Sequence, residues 1–259
     1  MIIGCLMICR NESNWIEKSI EMVLPHVNYI SITRGKTSWY SNFTKLDDTD
    51  QKIKKFEEYR SGKIIYTEVE KPLGEENQRT ICLDELRKVR CDIVWIVDCD
   101  EFYHEKDIKK LFDFVAKNGP DKCGQIFVNA FAYWRGFAYR SIARERFGPV
   151  LFQLRDSTKF NYLRNIDQDP GYTLEIDLHH MSFIRTEEEV YEKIHGWGHS
   201  NQVTKDWYEK KWKGWLKDRN ITNLHPVSPG LWPKIIKIDK SDLPSILHTH
   251  PWFDRDIVR

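Results

Sequence analysis

The run Asp92-Ile93-Val94-Trp95-Ile96-Val97-Asp98-Cys99-Asp100-Glu101-Phe102 constrains this chain more than any other segment. Its five consecutive apolar residues are too few for a helix and show no helical period, so they read as a buried strand. Three carboxylates stand where that strand ends. In open α/β folds the C-terminal edge of the strands is where ligands bind. Two aspartates separated by one residue point the same way off an extended backbone. They are therefore able to share one hard divalent cation, the kind that sits on phosphate oxygens. The plainer alternative is a strand followed by a solvated acidic turn.

The segments before this run supply its partners. Ile2 to Ile8 reads as a strand, Arg10 to Asn14 as a polar turn with Ser13 or Asn14 as helix N-cap, and Trp15 to Leu24 as an amphipathic helix ending near Pro25. Tyr29–Thr33 and Lys63–Val69 read as strands, and Ile53–Tyr59 and Asn77–Val89 as helices. The stretch from Arg34 to Asp50 lacks periodicity and reads as a loop at the same sheet edge. The first hundred residues thus alternate β-α-β-α-β-α-β, which implies a parallel sheet joined by right-handed crossovers. Beyond Asp100 the alternation ends. A helix at 107–117, strands at 124–133 and 174–184, an Arg- and aromatic-rich stretch at 135–165, and a Glu-rich helix at 186–195 follow. From about Thr204 the chain is rich in Trp and Lys, helical at first and then punctuated by proline.

With 259 residues the chain is long enough for one large α/β domain carrying an appended tail. Its formal net charge is +1, from 40 basic and 39 acidic residues, which argues against general attraction to nucleic acid or anionic membrane. Its six cysteines form no Cys-x-x-Cys pair, so a structural zinc site is not expected; several lie in apolar strands, as free thiols do in a reducing compartment. No stretch reaches membrane-spanning length, and the apolar start lacks a basic leader. The expectation is a soluble, cytoplasmic protein with no transmembrane segment.

Four pieces in order resemble the nucleotide-sugar glycosyltransferases of GT-A fold, family 2 in particular. They are Ile8-Cys9-Arg10-Asn11-Glu12, Gly74-Glu75-Glu76-Asn77-Gln78-Arg79, Asp98-Cys99-Asp100-Glu101-Phe102, and His179-His180-Met181-Ser182-Phe183-Ile184-Arg185 with Lys193 and His199 beyond. The resemblance implies an α/β, Rossmann-like, mostly parallel sheet flanked by helices over residues 1–203, with a donor half to about 103 and an acceptor half after it. Residues 204–259 would form a helical, Trp-rich extension packed on that domain.

The implied activity is metal-dependent transfer of a sugar from a nucleoside diphosphate sugar, UDP- or GDP-linked, to a hydroxyl of a carbohydrate or other acceptor, with inversion. Mn²⁺ or Mg²⁺ would stabilise the diphosphate leaving group. Asp98, Asp100 and His180 are the implied metal ligands, Asp98 alternatively touching the ribose. His179 and His180 point to opposite faces of their strand, so only one of them reaches the ion. Cys9, Asn11, Glu12, Thr33, Arg79, Asp98 and Arg185 are the implied nucleotide contacts; a surface ion pair is the alternative for either arginine, and helix capping for Glu12. An inverting transfer needs a base, for which Asp177, Glu145 and Glu175 lie in the acceptor half and Asp177 is the assignment. Glu101 would orient the sugar or support the metal aspartates. The aromatic stretch Phe131 to Phe137 suits either an acceptor platform or a core strand. One departure stands out: the second strand ends Ser31-Ile32-Thr33-Arg34-Gly35-Lys36, without the acidic base contact common in the family. A nucleotidyltransferase shares this plan but normally carries a glycine-rich loop after the first strand, absent from Cys9 to Ser13. A non-catalytic nucleotide- or carbohydrate-binding module on the same fold is the other alternative.

Overall fold

A computed structural model describes residues 1–36 and 45–259. The N-terminal half runs β1 (Ile3–Cys9), α1 (Ile16–Val23), β2 (Tyr29–Gly35), α2 (Thr49–Lys55), α3 (Glu57–Arg60), β3 (Ile64–Val69), α4 (Glu75–Lys88) and β4 (Ile93–Ile96). Its strands pair in the order β4-β1-β2-β3, all parallel, as the alternation of elements requires. Both faces of β1 and β4 are covered, which is why Cys5, Leu6, Met7 and Ile93 to Ile96 are fully buried. The expected caps Ser13 and Asn14 do not cap α1. Trp15 occupies that position, and the carbonyl of Glu12 accepts the N–H groups of Trp15 and Ile16.

The second half comprises β5 (Glu101–Tyr103), α5 (Glu105–Asn118), β6 (Gln125–Trp134), β7 (Tyr139–Ser141), β8 (Glu145–Gln153), a small β9–β10 hairpin (Phe160–Tyr162, Asn165–Ile166), β11 (Gly171–Phe183) and α6 (Glu187–Gly196). Here β8 inserts antiparallel between β4 and β6, and β11 runs parallel to β6 and antiparallel to β5. The result is a mixed sheet of ten strands among the described residues. α6 starts with a capping box: Thr186 accepts from the Glu189 N–H while the Glu189 carboxylate accepts from the Thr186 N–H.

The C-terminal segment packs into this body. A π-helical stretch (Tyr208–Lys213) leads into α7 (Gly214–Lys217), and β12 (Ile235–Lys237) pairs with β7. Helix is brief here because prolines at 226, 229 and 233 lack the N–H a helix needs. Trp207, Trp212, Trp215 and Trp232 surround Trp134 of β6, with ring centroids 4.9–6.3 Å away. Tyr133, Trp134 and Phe137 are buried, so most of the aromatic stretch is core and not an exposed platform. Leu243, Leu247, Trp252 and Val258 join the main core, and His250 stacks on Trp15 at 4.5 Å.

Candidate functional site

The strand ends β1 and β4, the start of α4, the β9–β10 turn, β11 and α6 enclose a cavity of about 740 Å³. Cys9, Asn11, Glu12, Arg79, Asp98, Asp100, His180 and Arg185 all line it. The chain reverses tightly after β4, because Glu101 must turn back to pair with β11 opposite His180. That reversal presents Asp98 and Asp100 to the cavity and turns Glu101 inward, fully buried.

Asp98 is held by arginine. Its Oδ2 accepts from Arg79 Nη2 at 2.9 Å and Arg164 Nη2 at 2.5 Å. Burial by itself would raise the carboxyl, but Arg79 and then Arg164 outweigh it and hold the group at about 2. Its Oδ1 is buried without a hydrogen-bond partner among the described residues. The same Arg164 donates to Glu101 Oε1 at 2.6 Å, while Glu101 Oε2 accepts the Asp98 N–H at 3.2 Å. Burial pushes the Glu101 carboxyl up to about 7 against the pull of Arg164. Glu101 therefore braces the acidic turn from behind.

Asp100 faces another set of cations. Its Oδ2 lies 3.0 Å from Arg185 Nη2 and 3.5 Å from Lys193 Nζ, and its Oδ1 lies 3.5 Å from His180 Nε2. Burial opposes ionisation, but Lys193, His180 and Arg185 together draw the carboxyl well below its usual range. Arg185 Nη2 also donates to both Glu12 oxygens, at 2.8 and 2.9 Å, so the Glu12 carboxylate serves this ion pair and leaves capping to its carbonyl. Burial pushes the Glu12 carboxyl up to about 7 against Arg185.

As alternation along β11 requires, the two histidines part company. His180 turns to Asp100, whereas His179 is buried on the other face, its Nδ1 bonded to the Tyr133 hydroxyl at 2.8 Å. Two donors about 2.1 Å from one ion and 3.5 Å apart subtend about 110°. Asp100 and His180 therefore fit a shared divalent cation. Among the described residues no three His, Cys, Asp or Glu side chains converge on such a position. Of the three expected ligands, Asp100 and His180 stand together, while the Oδ2 of Asp98 is taken by two arginines.

Two expectations are corrected. Thr33 lies inside the sheet, fully buried with its hydroxyl 3.0 Å from the Cys82 thiol, and does not line the cavity. Asp177 shares the His179 face, away from the cavity, and pairs with Arg144 at 2.6 Å. Sequence reasoning missed Arg164, Phe147 and Asp47. Arg164 sits on a two-residue turn inside the Arg-rich stretch, where composition was the sole signal. Asp47 lines the cavity near the end of β2 and pairs with buried Arg34 at 3.2 Å. Part of the expected loop, residues 37–44, lies outside the described residues.

This arrangement, a parallel half-sheet with an acidic turn at its C-terminal edge and a mixed second half, is that of a GT-A glycosyltransferase. Residues 5–187 match the model of glycosyl transferase family 2, and the chain belongs to that family. No curated protein matches it. Similar solved structures include S. aureus TarS 1–349, 13% identical over 74% of this chain and 63% of that one, with a TM-score of 0.44. Another is TarS 1–349 in complex with UDP-GlcNAc, 14% identical over 52% and 35%, TM-score 0.36. A third is GalNAc-T7 with UDP, GalNAc and Mn²⁺, 10% identical over 56% and 30%, TM-score 0.37. The chain spans less than two thirds of the length of each.

Proposed function

We propose that this glycosyltransferase moves a sugar from a nucleoside diphosphate sugar, UDP- or GDP-linked, to an acceptor hydroxyl with inversion, assisted by Mn²⁺ or Mg²⁺. The observation that carries the reading is the charge pattern of the cavity. Among the described residues eight carboxylates and seven arginines or lysines line it, so the charges of the wall nearly cancel. A diphosphate brings added negative charge, which arriving together with a divalent cation would balance.

Asp100 and His180 would hold that cation, whose chemistry is Lewis-acid stabilisation of the diphosphate. Arg185 and Lys193 stand beside Asp100 and supply fixed positive charge where negative charge grows as the sugar–phosphate bond breaks. Asp98 fixes Arg79 and Arg164 at the wall of the cavity, where they would face the diphosphate. Asn11 and Glu12 at the end of β1 lie where the base and ribose would rest.

Nucleotide release from UDP- and GDP-sugars tests the reading directly. The wild-type chain should turn over at least one donor, with turnover rising on addition of Mn²⁺. Asp100→Ala should abolish that rise. Absence of turnover across the donor panel, together with unchanged UDP and GDP binding by Asp100→Ala, would refute it.

A further inference from the structure

An inverting transfer needs a proton acceptor that is not already committed to a cation. Most carboxylates near the cavity fail that requirement. Asp98, Asp100, Glu12 and Glu101 are each paired with arginine, and Asp177 is paired with Arg144 on the opposite face.

Glu145, at the start of β8, differs. Among the described residues no lysine or arginine pairs with it; the indole N–H of Trp232 donates to its Oε1, and no hydrogen bond reaches its Oε2. The sheet register puts it on the side of His180. Strand β6 lies between β8 and β11, with Ala130 opposite both Glu145 and Leu178, and Ala132 opposite His180. Laterally paired residues share a face, as do residues two apart on one strand. Glu145 and His180 therefore project from the same face, separated along it by Ala130 and Ala132. Phe147, two residues beyond Glu145, has its ring 5.5 Å from that of His180, in agreement with this register.

The C-terminal segment fixes this carboxylate. Trp232 is fixed in the tryptophan cluster, and the His225 ring stands edge-on to it at 4.5 Å. His225 is oriented in turn, its Nδ1 accepting the N–H groups of Val227 and Ser228 at 3.1 and 2.8 Å. The carboxylate is thus held at one oxygen and open at the other, and it remains partly accessible.

We propose that Glu145 is the base that takes the proton of the acceptor hydroxyl, and that Trp232 of the C-terminal segment holds it in place. The inference rests on the transferase reading above. The acceptor O–H proton passes to Glu145 Oε2 as the acceptor oxygen bonds to the anomeric carbon. The bond from that carbon to the diphosphate oxygen breaks, and its electron pair leaves with the diphosphate.

Glu145→Gln separates this role from a structural one, because the glutamine carbonyl still accepts the Trp232 N–H. The assay is nucleotide release from UDP-glucose, UDP-GlcNAc, UDP-galactose and GDP-mannose with Mn²⁺ and water as acceptor. Glu145→Gln should lower kcat by about 100-fold or more while the donor KM and the melting temperature stay near wild type. Glu145→Asp, which retains a carboxylate, should recover part of the loss. A Glu145→Gln enzyme within threefold of an active wild type overturns the base assignment alone. So does a loss of kcat that Asp does not relieve and that tracks a fall in melting temperature. A wild-type chain inactive on every donor overturns the transferase reading and the base with it.

Discussion

Replacing Asp98 with Asn keeps the shape of the side chain and removes the charge that Arg79 and Arg164 grip at 2.9 and 2.5 Å. The structure sets the size of the effect. A carboxyl lowered from its usual 3.8 to about 2 corresponds to roughly 2–3 kcal/mol of stabilisation at neutral pH. A quarter of the side chain remains exposed, so screening trims the figure toward about 2 kcal/mol. The sign follows from the lowered value. The contribution is complete above the unfolded pKa of about 3.9 and disappears as pH falls through about 2, with roughly half of it left at pH 3. Urea denaturation of wild type and Asp98→Asn at pH 7, 4 and 3 measures this. The gap should be about 2 kcal/mol at pH 7 and 4 and about 1 kcal/mol at pH 3. A gap below about 0.5 kcal/mol at pH 7, or one that does not change with pH, would show that the two arginines do not hold an ionised Asp98.

Other variants probe separate parts of the chain. Trp134→Ala opens a cavity amid five aromatic rings and should cost about 3–5 kcal/mol, seen as a fall in melting temperature of roughly 10 °C. Asp177→Asn removes a pair whose partners are both more than a third exposed; kcat should stay within threefold and stability within about 1 kcal/mol. Arg185→Lys keeps the charge but loses the Nε–H bond to the Ser182 carbonyl that aims Nη2 at Glu12 and Asp100, so donor KM in the nucleotide-release assay should rise about tenfold. An unchanged KM would remove Arg185 from the donor site.

The N-terminal half was legible because its signals are local. A strand buried on both faces must be a short apolar run, and a parallel crossover must carry a helix, so β1, β2, β3 and β4 announce themselves one after another. The acidic turn was readable for the same reason, its three carboxylates being adjacent in sequence. Alternation along a strand also separated His179 from His180 before any coordinates. Failures came where partners are distant in the chain. Nothing near Asp98 in sequence announces Arg164, 66 residues later, which takes its Oδ2. Thr33 ends a strand at the expected edge, yet its hydroxyl is spent on Cys82.

The acidic turn, its position after a buried parallel strand, and hence the class of fold and the existence of a polar site were determined by the sequence alone, because backbone pairing and alternation depend on near neighbours. Which carboxylate serves which purpose was decided by the tertiary structure. Asp98, Asp100, Glu101, Asp177 and Glu145 are the same chemistry in sequence. A carboxylate's behaviour depends on its burial and on the cations within a few ångströms of it. Those cations arrive on α4, on the β9–β10 turn, just ahead of β8, and on and just ahead of α6, while Glu145 meets an indole N–H from the C-terminal segment instead.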